Sequence, residues 1–486
     1  MRAAAVRYGP VFALTLLGAL LRFPTLDRQS FWLDELVTAS LLDRGLGDVV
    51  REIPRTEATP YVYYVVAWLW SSVFGLGEVG LRSLSALAGT ATIPVAYLAG
   101  GVLVSRRAGL VAAALVATSP FLVWYSQEAR SYALFALLGA TSVLAFGLAL
   151  RGERRWLAGW CLVGSLTLST HYFGVFLVGA EALWLLTRLG PRLPVVLASL
   201  VPVATLLAQL PVLLDQRGNG EAVAGSSLAA RIAGIPKNLV VGYSFPLEAA
   251  GSVLAACLVL LGLVLAARLT PGERRGALVA GSLAAAVVLV PVALAAVGRD
   301  YVIARNAIVA VVPAAVCLGG GLASRRLGVA AAVLLCALCT AVGVAPAFDA
   351  TYGRTDWRGA AEAIGPTDAD RVLVVTPFMS RSLWGPYLPG LSEPERNRVV
   401  VREVVVAGLA TEGGYSAGPL EPPDVGEPKA LPGFRVAAIE RRPTFTLVRY
   451  VASQPTPISI ETLGGLALTD EQPGIALQTA HAAAGG

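Results

Sequence analysis

Charge is scarce in this chain: of 486 residues only 14% are Asp, Glu, Lys or Arg. Soluble domains average about 25%, so the composition excludes an ordinary soluble enzyme. Lysine is almost absent, supplying two of 38 basic residues, Lys237 and Lys429. With the excess of Ala and Gly, this reads as the arginine bias of a GC-rich bacterial genome. A net charge of +6 dispersed over membrane loops reports topology and excludes nucleic acid as a partner. The five cysteines, Cys161, Cys257, Cys317, Cys336 and Cys339, all lie in apolar runs, which excludes a disulfide framework and a zinc site. The CxxC pair Cys336/Cys339 has no neighbouring His or acid and reads as apolar packing. No internal repeat of the kind that marks many secondary transporters is present. No small-residue cleavage site follows the first apolar stretch; Leu21-Arg22-Phe23-Pro24 comes next, so an uncleaved first helix is expected.

What is present is apolar sequence: 56% hydrophobic residues, in runs such as Gly109–Trp124 and Ala277–Val297. A helix needs about 20 residues to cross a bilayer, so the chain reads as a polytopic α-helical membrane protein. Twelve apolar segments are candidates: 6–23, 59–76, 83–104, 108–125, 131–150, 156–171, 173–187, 193–214, 251–267, 277–297, 306–323 and 327–347. If 59–76 lies in the interface, the short basic loops fall on one side with 14 Arg, against Arg130, Arg299 and Arg305 opposite. The positive-inside rule then selects eleven spans, with the N-terminus cytoplasmic and the C-terminus outside the cytoplasmic (inner) membrane. Segment 59–76 begins at Pro60 and carries Tyr61, Tyr63, Tyr64, Trp68 and Trp70, aromatics that favour headgroup depth.

The predicted domains are a transmembrane catalytic domain over 1–347, including an outer loop at 24–82, and an extracytoplasmic α/β domain over 348–455. A weakly ordered tail is expected over 456–486. In the α/β domain a helix is expected over Asp356–Ile364, and strands over Arg371–Thr376, Val399–Val406 and Thr444–Val451. Two further outer pieces are Ser126–Arg130 and a loop over 215–250 with the Gly-rich Arg217-Gly218-Asn219-Gly220.

Chemistry is expected where charge is expensive. Phe31-Trp32-Leu33-Asp34-Glu35-Leu36 sets adjacent carboxylates among apolar residues at the outer mouth of the first helix. A solvated helix cap explains one acid there but not two, and a desolvated carboxylate makes a usable general base. Glu128 stands at the outer end of the third span beside Arg130, either as a second site acid or as a juxtamembrane ion pair.

These residues, with Thr59-Pro60-Tyr61-Val62-Tyr63-Tyr64, Leu81-Arg82-Ser83-Leu84-Ser85-Ala86 and Ser119-Pro120 through Ser131-Tyr132, resemble the GT-C membrane glycosyltransferases. More narrowly they resemble the family 39 type, which uses polyprenyl-phosphate sugars and includes protein O-mannosyltransferases and lipid A sugar transferases. The resemblance covers residues 10–190 and, weakly, Tyr301–Pro313. It implies a GT-C fold with juxtamembrane helices in the first outer loop. It also implies inverting transfer of a sugar from a polyprenyl-phosphate donor to a hydroxyl of a lipid, glycan or protein acceptor, on the extracytoplasmic face. The family's general base lands on Asp34, with Glu35 completing the pair. Relatives often carry a second Asp where this chain has Ser131; either Glu128, three residues earlier on the same helical face, substitutes for it, or the second acidic role is missing.

The departing phosphate needs a planar cationic fork. Arg305, with Arg299 and Tyr301 just before it, is the first choice and Arg130 the second. Arg305 could instead be a helix-end residue snorkelling to the interface. His171 and Tyr172, closing the fifth helix, join Tyr301, Tyr61 and Tyr64 as expected substrate contacts. A divalent cation would also serve the phosphate, though no ligand set demands one. A transporter or flippase of lipid-linked sugars, and a non-catalytic envelope-assembly protein, are the other classes compatible with these features.

Overall fold

The computed structural model describes residues 2–216, 227–377, 384–410 and 418–479, so the Gly-rich stretch 217–220 and the final Ala and Gly residues lie outside it. The chain divides into a helical unit, Met1–Leu26 with Leu41–Ala345, and a second unit, Asp27–Ser40 with Pro346–Gly486. The segment carrying Asp34 and Glu35 therefore groups with the C-terminal residues rather than with the helices that flank it.

In the helical unit each of the eleven apolar segments expected to cross is helical. Six are long and apolar enough to span on their own: Glu78–Leu103, Tyr132–Leu150, Glu248–Arg268, Pro271–Ala295, Ala304–Leu322 and Arg326–Ala347. Arg106–Thr118 and Pro120–Ser126 make a seventh if the pair, bent by 56°, is one span. Arg155–Thr170 and Gly174–Leu189 have 16 residues each, short of the roughly 20 that a straight crossing needs. The chain is a multi-pass membrane protein. Tyr61–Phe74 is a separate 14-residue helix that starts after Pro60, too short to span.

The bend at Ser119-Pro120 has a local cause. Pro120 has no N–H, so the Val116 carbonyl loses its helical partner, and the Ser119 hydroxyl caps the new helix at Leu122 N–H, 3.3 Å away. The Arg22 guanidinium, fully buried, takes the freed oxygens: Nη2 donates to Val116 O at 3.1 Å and Nη1 to Ala117 O at 2.9 Å. Nη1 also reaches Gly18 O at 2.9 Å, and Nε reaches Ser126 Oγ at 3.1 Å. The helices close tightly here, because a Cβ on Gly89 would stand 2.0 Å from Ser126 Oγ. Phe121, Phe135, Phe146 and Trp160 fill the core around this bend without exposure.

The second unit holds a six-stranded sheet of β1 (Arg371–Thr376), β2 (Leu391–Ser392), β3 (Arg398–Leu409), β4 (Arg435–Arg442), β5 (Phe445–Ser459) and β6 (Gly474–Gln478). Its order is β2-β6-β1-β3-β5-β4, with β1 and β3 parallel and the other neighbours antiparallel. The helix Trp357–Ile364 buries Trp357, Ala360, Ala361 and Ile364, a spacing that puts them on one face. Asp356 caps it, its carboxylate accepting Gly359 N–H at 2.9 Å. The expected helix and three strands are all present. The expectation of a weakly ordered tail fails over 456–478: β5 runs to Ser459, a short helix Ile460–Gly464 follows, and β6 lies inside the sheet. The cause is non-local. Fully buried Arg371 donates to Gln478 Oε1 through Nε at 2.9 Å and Nη2 at 2.7 Å, and to Ile364 O at 3.0 Å.

Within this same unit Asp27–Ser40 is tied down by its backbone. Phe31 N–H donates to the Tyr387 hydroxyl at 2.7 Å, and the Ser30 hydroxyl accepts Trp357 N–H at 2.9 Å.

Candidate active site

Asp34 and Glu35 occupy the first turn of the helix Leu33–Leu42, where carboxylates oppose the positive end of the helix dipole. They are not equivalent. Glu35 is fully buried and turns back to accept Trp32 N–H at 3.2 Å, whereas Asp34 is half-buried. Of the pair, Asp34 is the less buried carboxylate.

In the helical unit, buried polar groups gather between helix ends. Glu128 and Arg130 stand in the turn between Pro120–Ser126 and Tyr132–Leu150, both under one tenth exposed. The helix stops at Ser126, so Glu128 and Ser131 do not share a helical face as the sequence led us to expect; a turn separates them. Arg130 is buried, but its ion pair is with Glu57, Nη1 to Oε2 at 2.7 Å. Tyr64 also donates to Glu57, and its hydroxyl lies 3.0 Å from Thr59 Oγ1. Burial raises the Tyr64 phenol well above its ordinary value; Arg130 opposes this and Glu57 adds to it.

Tyr61 opens the same short helix, half-buried. The Tyr172 hydroxyl donates to Gln216 Oε1 at 2.9 Å, and Gln216 Nε2 donates to Ile53 O at 3.2 Å, tying this turn to the first loop. Burial, with Tyr61 adding to it, raises the Tyr172 phenol.

Arg305 lies in the 3-10 segment Ala304–Ala310, its guanidinium 5.7 Å from the centre of the Tyr132 ring. His171 packs on the same tyrosine at 5.8 Å and stacks on Phe135 at 4.7 Å. Burial first, then Arg305 and Arg130, push His171 down to about 3, so its ring is neutral. Burial raises the Tyr243 phenol; its hydrogen bond with Tyr125 and the Arg305 charge oppose the shift, and Glu128 adds to it. Glu128, Arg305, Tyr132 and Tyr243 thus act on one another across one cluster. Tyr301 is not gathered with them: it is 47% exposed.

Three participants escaped the sequence reading. Glu57 sits in the charge-rich run Arg51-Glu52-Ile53-Pro54-Arg55-Thr56-Glu57, which hid it, although its place just before an aromatic helix was a usable signal. Arg231 pairs with Asp300, Nη1 to Oδ1 at 2.9 Å, and donates to Val302 O at 2.7 Å. That clamp fixes the strand of chain leading into Arg305 and occupies the nearest acid in its sequence; hydrogen bonding to Arg231 leads the causes that hold Asp300 below the usual carboxylate range. Gln216 carries no signal in the sequence beyond its place at a helix end. Among the described residues no three His, Cys, Asp or Glu side chains converge to hold a metal ion.

Chemically, the cluster offers two guanidiniums, a neutral imidazole and several phenols at the ends of membrane helices. Such a set suits an anionic group attached to an apolar chain.

Residues 58–214 match the family described as dolichyl-phosphate-mannose-protein mannosyltransferase. The match takes in Glu128, Arg130, His171 and Tyr172, and leaves out Asp34 and Arg305. No curated protein matches the sequence. Among solved structures, ArnT from Cupriavidus metallidurans in the apo state superposes with a TM-score of 0.56 at 14% identity, covering 94% of this chain and 100% of that one. The same protein bound to undecaprenyl phosphate gives 0.53 at 16% identity, covering 93% and 100%. In fold along its length, and in sequence over residues 58–214, the chain resembles the GT-C membrane glycosyltransferases.

Proposed function

We propose that the chain is an inverting membrane glycosyltransferase that moves a sugar from a polyprenyl-phosphate donor to a hydroxyl of a lipid, glycan or protein acceptor. The observation that carries the proposal is the cluster at the helix ends in which half-buried Arg305 lies beside buried Arg130, His171 and Tyr132. The likeness to a protein whose structure holds undecaprenyl phosphate supports the donor class.

In the reaction, the acceptor oxygen attacks the anomeric carbon while Asp34 removes its proton. The bond from that carbon to the phosphate oxygen breaks, and the polyprenyl phosphate leaves from the opposite face with the electron pair. In-line attack inverts the configuration. Arg305 meets the growing phosphate charge with its planar fork, and Arg130 and Glu128 shape the surrounding field. Tyr61 and Tyr172, both half-buried, line the substrate path.

The Arg asymmetry supports eleven crossings of the cytoplasmic membrane, with the N-terminus inside and the sheet-bearing unit outside. Single cysteines placed at 106 and 420, in a background without the native five, test this with an impermeant thiol reagent on intact cells. Labelling at 420 alone is expected; labelling at 106 alone reverses the topology. For the reaction, purified protein in nanodiscs is given a panel of radiolabelled polyprenyl-phosphate sugars. Transfer from at least one donor, with inverted configuration, is expected. Exchange or translocation of intact donor without transfer would replace the enzyme by a flippase.

A further inference from the structure

The His171 ring is held by one hydrogen bond at Nδ1 and by packing against aromatic rings. Its Nδ1 accepts the backbone N–H of Phe173 at 3.2 Å, so the neutral ring carries its proton on Nε2. Phe135 stacks on it with an interplanar angle of 16°, and Phe173 meets it edge-on. It lies in the three-residue turn between Arg155–Thr170 and Gly174–Leu189, 5% exposed. The titratable and charged groups that face it are Tyr132, Arg130 and Arg305. Its surroundings disfavour a second proton, so it is unfit as an acid or base near neutral pH. A neutral imidazole with a fixed N–H beside two guanidiniums is, however, a good third donor for an oxyanion.

We propose that His171 donates its Nε2–H to a non-bridging oxygen of the phosphate that Arg305 attracts: the phosphodiester joining polyprenol to sugar in the donor, which becomes the polyprenyl monophosphate when the sugar is transferred. This rests on the glycosyl-transfer reading and adds to it a tautomer, an atom and the group it contacts. It also predicts that His171 leaves no inflection in the pH–rate profile near neutrality.

The chain has two histidines, His171 and His481, so full-length protein labelled with 15N-histidine in nanodiscs gives two sets of ring signals, and His481→Gln assigns them. The expected spectrum of His171 is the Nε2–H tautomer, unchanged from about pH 5 to pH 8. A short isoprenyl monophosphate should shift the Nε2 signal, the matching isoprenyl alcohol should not, and Arg305→Ala should remove the shift. Inorganic phosphate separates the sources. A shift from both phosphates supports recognition of the phosphate itself, whereas a shift from inorganic phosphate alone overturns the lipid assignment. A proton on Nδ1, ordinary titration, or no response to the isoprenyl phosphate also overturns the proposal. In transfer assays, His171→Gln, which presents an N–H near the Nε2 position, should keep the donor KM close to wild type. His171→Asn should raise it about tenfold, the scale of a lost hydrogen bond to a charged group. Equal defects in both variants would count against the Nε2 assignment. Absence of any transfer would remove the glycosyltransferase reading alone, because the spectra judge phosphate recognition without turnover.

Discussion

Arg22 in the helical unit and Arg371 in the second unit are both fully buried, and both give hydrogen bonds to oxygens of uncharged groups, with Glu403 a further 4.0 Å neighbour of Arg371. Arg130 and Arg305, at the candidate site, are held differently: one is paired with the carboxylate of Glu57, the other lies over the Tyr132 ring. The contrast separates scaffold from site. An arginine whose donors meet carbonyls repairs the backbone at that place. One set against an acid or a ring holds its charge beside the other side chains of the candidate site.

The comparison breaks most visibly at Arg22. Arg22→Leu leaves the Val116 and Ala117 carbonyls without their donors, at about 1–3 kcal/mol for each orphaned group. Little folded protein is expected from this variant, read as monodisperse yield in detergent. Normal yield and thermal stability would show that the bend at Pro120 does not need the guanidinium. Glu57→Gln comes next. Removing one partner of a buried ion pair typically costs about 3–5 kcal/mol, so a marked fall in melting temperature is expected. Arg371→Lys is the milder scaffold change: it keeps the charge and loses the fork onto Gln478, for about 1–3 kcal/mol, read in the same melt. At Arg305 stability should hardly move. Arg305→Ala is expected to leave expression and melting unchanged while nearly abolishing transfer, and Arg305→Lys to weaken transfer measurably. Wild-type kinetics for Arg305→Ala would return Arg305 to the interface and make Arg130 the next residue to test.

The scaffold was legible wherever the periodicity is local. Apolar runs located the helices that are long and apolar enough to span, and alternating Val-rich runs located β1, β3 and β5. Strand β6 was not legible, because Gly474–Gln478 is short and its place depends on pairing with residues about a hundred positions earlier. Strand β4 was missed as well: Arg435–Arg442 is exposed along most of its length and has no buried alternation to read. At the site, Arg130 and Arg305 were visible because charge is rare around them. Glu57 and Arg231 were not, since only the folded contacts with Arg130 and Asp300 give them a role. The same-face argument for Glu128 and Ser131 failed because the helix stops at Ser126.

The proposed base-catalysed sugar transfer depends on the carboxylate of Asp34, and Asp34→Asn is its sharpest test. The substitution keeps the size and much of the hydrogen bonding of the side chain but removes the base. Initial rates of transfer from a radiolabelled polyprenyl-phosphate sugar, in nanodiscs and under conditions where chemistry limits turnover, should fall about 100-fold or more, with donor binding retained. Near-normal turnover in Asp34→Asn would contradict the account and remove Asp34 from the reaction.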